Sequence, residues 1–174
     1  MGRNFGKGHG FGHGMGGEGK VARDNASTQT IDADDRATVL YILEEEKMAG
    51  DLYEIFQQQT GLSVFGNIAK SEDRHFNAML KQAEKLGLDV DEIVFKPAGS
   101  YVNDEVQQMY DDLLAQGSQS AIDALEVGRY IEQTDATELR EAMDDVAGTQ
   151  LARVYGNLLD GSLNHLDAFD ALLG

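Results

Sequence analysis

Residues 65 to 80 read FGNIAKSEDRHFNAML. Phe65, Ile68 and Met79 recur at helical spacing, and Ala83 carries the same stripe one turn further. Glu72 and His75 fall on that stripe as well, separated by nearly one helical turn, so two ionisable groups share an inward face. With 31 acidic residues among 174, the chain has ample surface for such groups. Their place among apolar neighbours calls for a partner inside the fold.

Outward from this segment the pattern stays helical. Its own helix runs from about Ser63 to Leu86, with Gly87 at the end. Before it, Val39, Ile42, Leu43, Ala49, Tyr53 and Phe56 mark one face of a helix that starts near Asp32, is capped by Asp34 or Asp35, and ends near Gly61. Residues 88 to 102 hold the single proline, Pro97, with Gly99 and Ser100 behind it, and read as a connection. Asn103 then caps a shorter helix, DEVQQMYDDLLAQ, which Gly117 closes. A further helix spans residues 118 to about 143, with Ile122, Leu125, Gly128, Leu139 and Met143 as its stripe. The last begins near Thr149 and carries Leu151, Val154, Leu158, Leu166, Phe169 and Leu172. No stretch alternates with period two, so almost no sheet is expected. The predicted fold is all-α: a four-helix bundle of two hairpins, joined by one long crossover that contains an extra short helix.

Residues 1 to 20 are nearly half glycine and are expected to form a disordered tail, followed by a polar leader to residue 31; the bundle domain is residues 32 to 174. His9 and His13 in the tail lack the preorganisation of a specific metal site. A formal charge of −17 repels phosphate backbones and anionic lipids, which argues against nucleic-acid and membrane partners and in favour of cations. The absence of cysteine excludes disulfides, thiolate catalysis and sulfur ligation. No apolar run reaches the roughly 18 residues of a membrane helix, and no secretory signal is visible, so a cytoplasmic location is expected. There is no Gly-x-Ser-x-Gly elbow or strand-borne phosphate loop to support nucleophilic or nucleotide chemistry.

Each long helix has a polar residue in its stripe. Glu46 lies between Leu43 and Ala49 on the first, with Glu44 and Glu45 free to point elsewhere. Glu72 and His75 lie on the second, Glu132 between Gly128 and Leu139 on the third, and Ser162 and His165 between Leu158 and Phe169 on the fourth. A buried, unpaired carboxylate is penalised by several kcal/mol, so three in one core must be protonated, paired with Arg74, Arg129 or histidine, or bound to a cation. Oxygen and nitrogen donors suit a divalent ion such as iron, manganese or zinc. Folding the first hairpin at Gly61 sets Glu46 opposite His75 with Glu72 a turn away. On the third helix the ligand is either Glu132, on the stripe, or Glu126, nearer the height of His165.

Glu46 with Tyr53, Glu72-x-x-His75, and the blocks EEEKMAGDLYE, FGNIAKSEDRHFNAML, ALEVGRYIEQTDATEL and YGNLLDGSLNHLDAF together resemble the ferritin-like family known as domain of unknown function 2202, over roughly residues 35 to 173. The ferritin-like resemblance implies a carboxylate-bridged centre of one or two metal ions, with Glu72 bridging, Tyr53 hydrogen-bonding or donating an electron, and oxygen or peroxide as reactant. Metal storage, metal sensing, or a helical domain with a degenerate site are the other functions it allows, and self-association is left open. The departure from the pattern is Ser162, where a fourth glutamate is expected three residues before His165. Asp160 is two positions away and turned to another face.

Overall fold

A computed structural model describes residues 31–174, and the expected tail lies outside these described residues. The described chain is all-helical, with α1 at Ala33–Thr60, α2 at Ser63–Lys85, α3 at Asp91–Phe95, α4 at Asp104–Gly117, α5 at Ala121–Asp145 and α6 at Gln150–Leu173. None of these helices is long and apolar enough to cross a membrane.

The first cap differs in detail from expectation. Asp32 accepts from the amides of Asp34 and Asp35 at 2.9 and 3.0 Å, and Asp35 returns a bond from the Asp32 amide at 2.8 Å. This reciprocal box makes Asp32 the cap and uses Asp34 and Asp35 as first-turn acids, which also favour the helix dipole. At the other end Gly61 adopts φ 73°, a left-handed conformation that a side chain would strain, and its amide bonds Gln57 O. Only Gly61 and Leu62 separate α1 from α2, so the chain folds back on itself and the two helices pack along their lengths. Helices α5 and α6 form the second such pair; α1 meets α5, and α2 meets α6.

These four long helices enclose a core in two apolar halves. One half gathers Leu52, Tyr53, Phe56, Phe65, Ile131 and Phe169. The other gathers Val39, Leu43, Met79, Leu139, Tyr155 and Leu158. On every long helix the polar stripe residue lies between these two sets: Glu46 on α1, Glu72 and His75 on α2, Glu132 on α5, Ser162 and His165 on α6. The sequence pattern thus becomes a polar slice across a hydrophobic cylinder.

The crossover holds more structure than the pattern indicated, since residues 91–95 make the short helix α3. Its return segment is fixed to α1 by side chains that face away from the polar slice. Glu44 accepts the amides of Val102 and Asn103, each at 2.7 Å, one per oxygen. Asp51 Oδ2 accepts from the Gly99 amide, the Tyr101 hydroxyl and Lys47 Nζ, while Lys47 also donates to Pro97 O and lies 4.6 Å from the Tyr101 ring centre. Helix α4 then packs on both α1 and α5. Glu44 and Glu45 point away from the polar slice, as expected, yet they are 2% and 5% exposed, because the crossover covers Glu44 and α5 lies against Glu45. Ile122, by contrast, sits in the first turn of α5 and is 65% exposed, so it does not belong to the core stripe.

Glu44 has no replacement as an acceptor for two neighbouring amides. Glu44→Ala should lower stability by about 3 kcal/mol, and Glu44→Gln, which keeps one carbonyl acceptor, by about half of that. Denaturant unfolding at fixed pH measures both; equal, small losses would show that the crossover is held by other contacts.

Candidate metal centre

The polar slice brings five of the expected residues together. Glu72 lies at its middle: Oε2 is 2.8 Å from His75 Nδ1 and Oε1 is 2.8 Å from His165 Nδ1. Each imidazole nitrogen also meets a second carboxylate, His75 with Glu46 Oε2 at 3.3 Å and His165 with Glu132 Oε2 at 3.3 Å. The two rings stand 5.7 Å apart and are inclined by only 29°. Two groups result, Glu46–Glu72–His75 and Glu72–Glu132–His165, each with one donor atom per residue and all donors within 4.8 Å of one another. They share Glu72, one oxygen to each side.

Several of these atoms are close without being aligned as hydrogen bonds. Glu46 Oε2, Glu72 Oε1, Glu132 Oε2 and His165 Nδ1 are buried and have no hydrogen-bond partner. Short separations with poor hydrogen-bond alignment fit donors that converge on a common point, and two carboxylates with one imidazole per side make a donor set that iron, manganese and zinc accept. These residues therefore fit a bound divalent ion. Among the described residues, the partly open edge of the cluster is on the histidine side, where the side chains of His75 and His165 are 12% and 11% exposed.

Tyr53 adjoins this cluster from the apolar side. Its hydroxyl donates to Glu132 Oε1 at 2.7 Å, and its ring lies against Phe169 and Phe65. Burial, followed by the charges of Glu132 and Glu72, pushes the phenol well above its usual range, so it remains a donor. Ser162 is 1% exposed and its hydroxyl donates back along α6 to Leu158 O at 3.3 Å. Next to it, Gly161 provides the space for His75: a Cβ there would come within 2.6 Å of His75 Cε1 and Nε2.

The two open alternatives for α5 are separated by this geometry. Glu132 is fully buried within the cluster, whereas Glu126 is exposed and lines an outer groove with Arg129 and Tyr130. Neither arginine serves the cluster, since Arg74 bonds Ser71 and Arg129 borders that groove. Asp160 is exposed. Sequence reasoning missed three acids beside the cluster, Glu45, Asp135 and Glu138. The available signal was their spacing, Glu132, Asp135 and Glu138 at intervals of three on α5, with Glu45 adjoining Glu46.

Charge within the slice is balanced by protons and imidazolium. Burial would lower both histidines, but the carboxylates outweigh it: Glu46 and Glu72 push His75 up to about 10, and Glu132 and Glu72 push His165 up to about 9. Burial would raise Glu72, yet His165 and His75 bring it down to about 2. Burial raises Glu46 to about 8 and Glu132 to about 7, with the Glu72 charge adding to it and the imidazoles opposing it.

Six described helices with a buried, histidine-flanked carboxylate cluster define an all-helical protein able to hold a metal ion within its helix core. The family described as uncharacterized protein domain DUF2202 matches residues 35–173, and the chain belongs to that family. It is 32% identical over 145 residues to the uncharacterized protein MJ0754 of Methanocaldococcus jannaschii, a match covering 83% of this chain and 78% of the relative. The crystal structure of hypothetical protein MJ0754 superposes with a TM-score of 0.78 at 32% identity, covering 83% of this chain and 82% of that one.

Two expectations follow for the metal-free protein. The imidazoles, raised above 6.5, add stability that is complete below about that pH and is lost as pH climbs through about 9 to 10. Glu46 and Glu132, raised above 4.5, retain protons that the unfolded chain has already released, and they too subtract stability as pH rises toward about 8 and about 7. Glu72, lowered to about 2, withdraws its contribution only as pH falls from 4.5 through about 2. Stability in chelator should therefore peak close to pH 4.5 and decline above it, by about 1.4 kcal/mol per pH unit for each proton bound only in the fold, and more steeply above 6.5 where the histidines join. Thermal unfolding across that range checks the sign, and a rising melting temperature above neutrality would contradict the assignment. Separately, Gly161→Ala should displace the His75 ring and return its titration from about 10 toward 6.5, while His165 stays near 9, as followed by imidazole NMR.

Proposed function

We propose that this chain is a ferritin-like metal-binding bundle protein, in which Glu46, Glu72, His75, Glu132 and His165 hold one or two divalent ions, iron first and manganese or zinc as alternatives. The observation that carries this reading is Glu72, which offers one oxygen to each histidine at 2.8 Å while a second carboxylate closes each side. Glu46 and His75 would hold one side, Glu132 and His165 the other, with Glu72 as the bridge. Bound redox-active ions would supply electron transfer to oxygen or peroxide, which makes a di-metal oxidase or peroxide-handling protein the preferred activity.

The chain's own residues have separate tasks. Tyr53 holds Glu132 through its 2.7 Å bond, fixing one carboxylate oxygen so that the other faces His165. Phe65 and Phe169 pack against Tyr53 and exclude water from that side. Histidines at the partly open edge would admit a small reactant without opening the core. Deprotonation of Glu46, Glu132 and both imidazoles must accompany metal uptake, so binding should release protons near neutral pH.

A second reading is favoured by the imidazole–carboxylate pairs themselves, which balance the buried acids without any ion. In that case the slice is an ionic core that selects helix register rather than a working centre. The two readings part on one experiment. Full-length protein purified without chelator, then exposed to iron, manganese or zinc, should contain bound ions by elemental analysis and melt at higher temperature, whereas Glu72→Ala should weaken binding by about 100-fold or more, having removed the shared ligand. No uptake by the native chain, with unchanged or improved stability when Glu72 and His75 are both replaced by leucine, would establish the ionic core instead.

A further inference from the structure

The seam between α1 and α5 contains acids that the central cluster does not use. A closed gap beside Glu46 is lined by Ile42, Glu45, Glu46, Asp135, Glu138 and Leu139, none of them basic. Glu45 is 5% exposed, and its Oε1 is buried without a hydrogen-bond partner, as is Glu138 Oε2. Two unpartnered carboxylate oxygens thus belong to residues that line one dry space. The gap does not admit a water molecule, so solvent cannot satisfy them.

The arrangement continues outward. Ile42 and Glu138 are also part of an open cleft of about 220 Å³ whose other walls include Thr38, Tyr41, Glu141 and Asp145. Acids therefore line the seam from that cleft through Glu138, Glu45 and Asp135 to Glu46. Such a row is unfavourable in an empty, anionic state and favourable around a positive ion.

We propose that Glu45, Asp135 and Glu138 form an accessory site for a hard divalent cation, entered from the Glu141 and Asp145 cleft and leading to Glu46. Its donors are all carboxylate oxygens, which suit manganese(II), magnesium, calcium or iron(II), and it lacks the imidazole that each side of the central cluster provides. It should consequently bind more weakly than the centre. Passage of the cation to Glu46 rests on the metal-binding reading of the centre; occupation of the seam does not.

Manganese(II) tests both parts separately. Metal-free, full-length protein is titrated with manganese(II) by electron paramagnetic resonance, alongside Glu45→Gln/Glu138→Gln and His75→Ala/His165→Ala, and native crystals are soaked in the same ion for anomalous scattering. The expected result is a weak class of sites in the native protein, weakened by about tenfold or more in the glutamine variant and retained in the alanine variant. An anomalous peak should lie between Glu45 and Glu138. A peak confined to the central cluster, with the glutamine variant titrating like the native chain, overturns the seam site and leaves the centre intact. A peak in the seam alone supports the accessory site and removes the centre. Absence of both peaks overturns both. The crystal measurement on native protein decides even where a variant fails to fold.

Discussion

Everything in this molecule accommodates one constraint: three glutamates share a thin slice of core between two apolar halves, and positive charge must be supplied there. Desolvating a carboxylate is penalised by several kcal/mol, and no lysine or arginine reaches the slice among the described contacts. The two histidines are the basic groups at hand. Held 2.8 Å from opposite oxygens of Glu72, they keep that carboxylate ionised, while Glu46 and Glu132 tend to retain their protons. The metal-free core can thus approach neutrality through five residues acting together. A divalent ion would replace protons in the same space, so folding and binding draw on one set of atoms and are coupled through them.

The crossover is part of this arrangement rather than an appendage. A hairpin pair alone would leave one side of α1 in water. Helix α4 and the segment around Tyr101 cover that side, and Glu44, Lys47 and Asp51 hold the cover by bonding its backbone. Consecutive residues on α1 therefore serve different neighbours: Glu44 ties the crossover, Glu45 faces the α5 seam, and Glu46 enters the central slice. Three identical side chains have three different environments because a helix rotates about 100° per residue and α1 is packed all round.

That rotation also explains what was legible beforehand. Long stripes such as Phe65, Ile68, Met79 and Ala83 repeat often enough to fix both the helix and its inner face, and a glutamate or histidine interrupting such a stripe is visible as an anomaly. Glu46, Glu72, His75, Glu132 and His165 are legible by that route, and they do converge. The burial of Glu44 and Glu45 is not, because Glu44 is covered by the crossover more than 50 residues away and Glu45 by α5, and no local pattern encodes which face a distant segment will cover. Asp32 rather than Asp34 or Asp35 as cap depends on a side chain returning to a backbone amide, which three neighbouring acids leave ambiguous. Five residues of α3 are too few to show a period at all. The choice of Glu132 over Glu126 required the relative height of α5 and α6, a tertiary quantity.

Ser162 acquires a different meaning from its surroundings. A fourth glutamate on the stripe would make the two hairpins chemically alike, yet each side of the cluster already has two carboxylates and one imidazole because Glu72 serves both. What Ser162 removes is one carboxylate, not a whole half-site. Beside it, Gly161 leaves α6 slim where the His75 ring approaches. Asp135, one turn beyond Glu132 on α5, does not replace the missing charge: burial, followed by the charge of Glu132, raises it well above the carboxylate range, so it retains its proton. The asymmetry between the hairpins therefore lies in one acid position on α6, while Glu72 still serves both sides of the cluster.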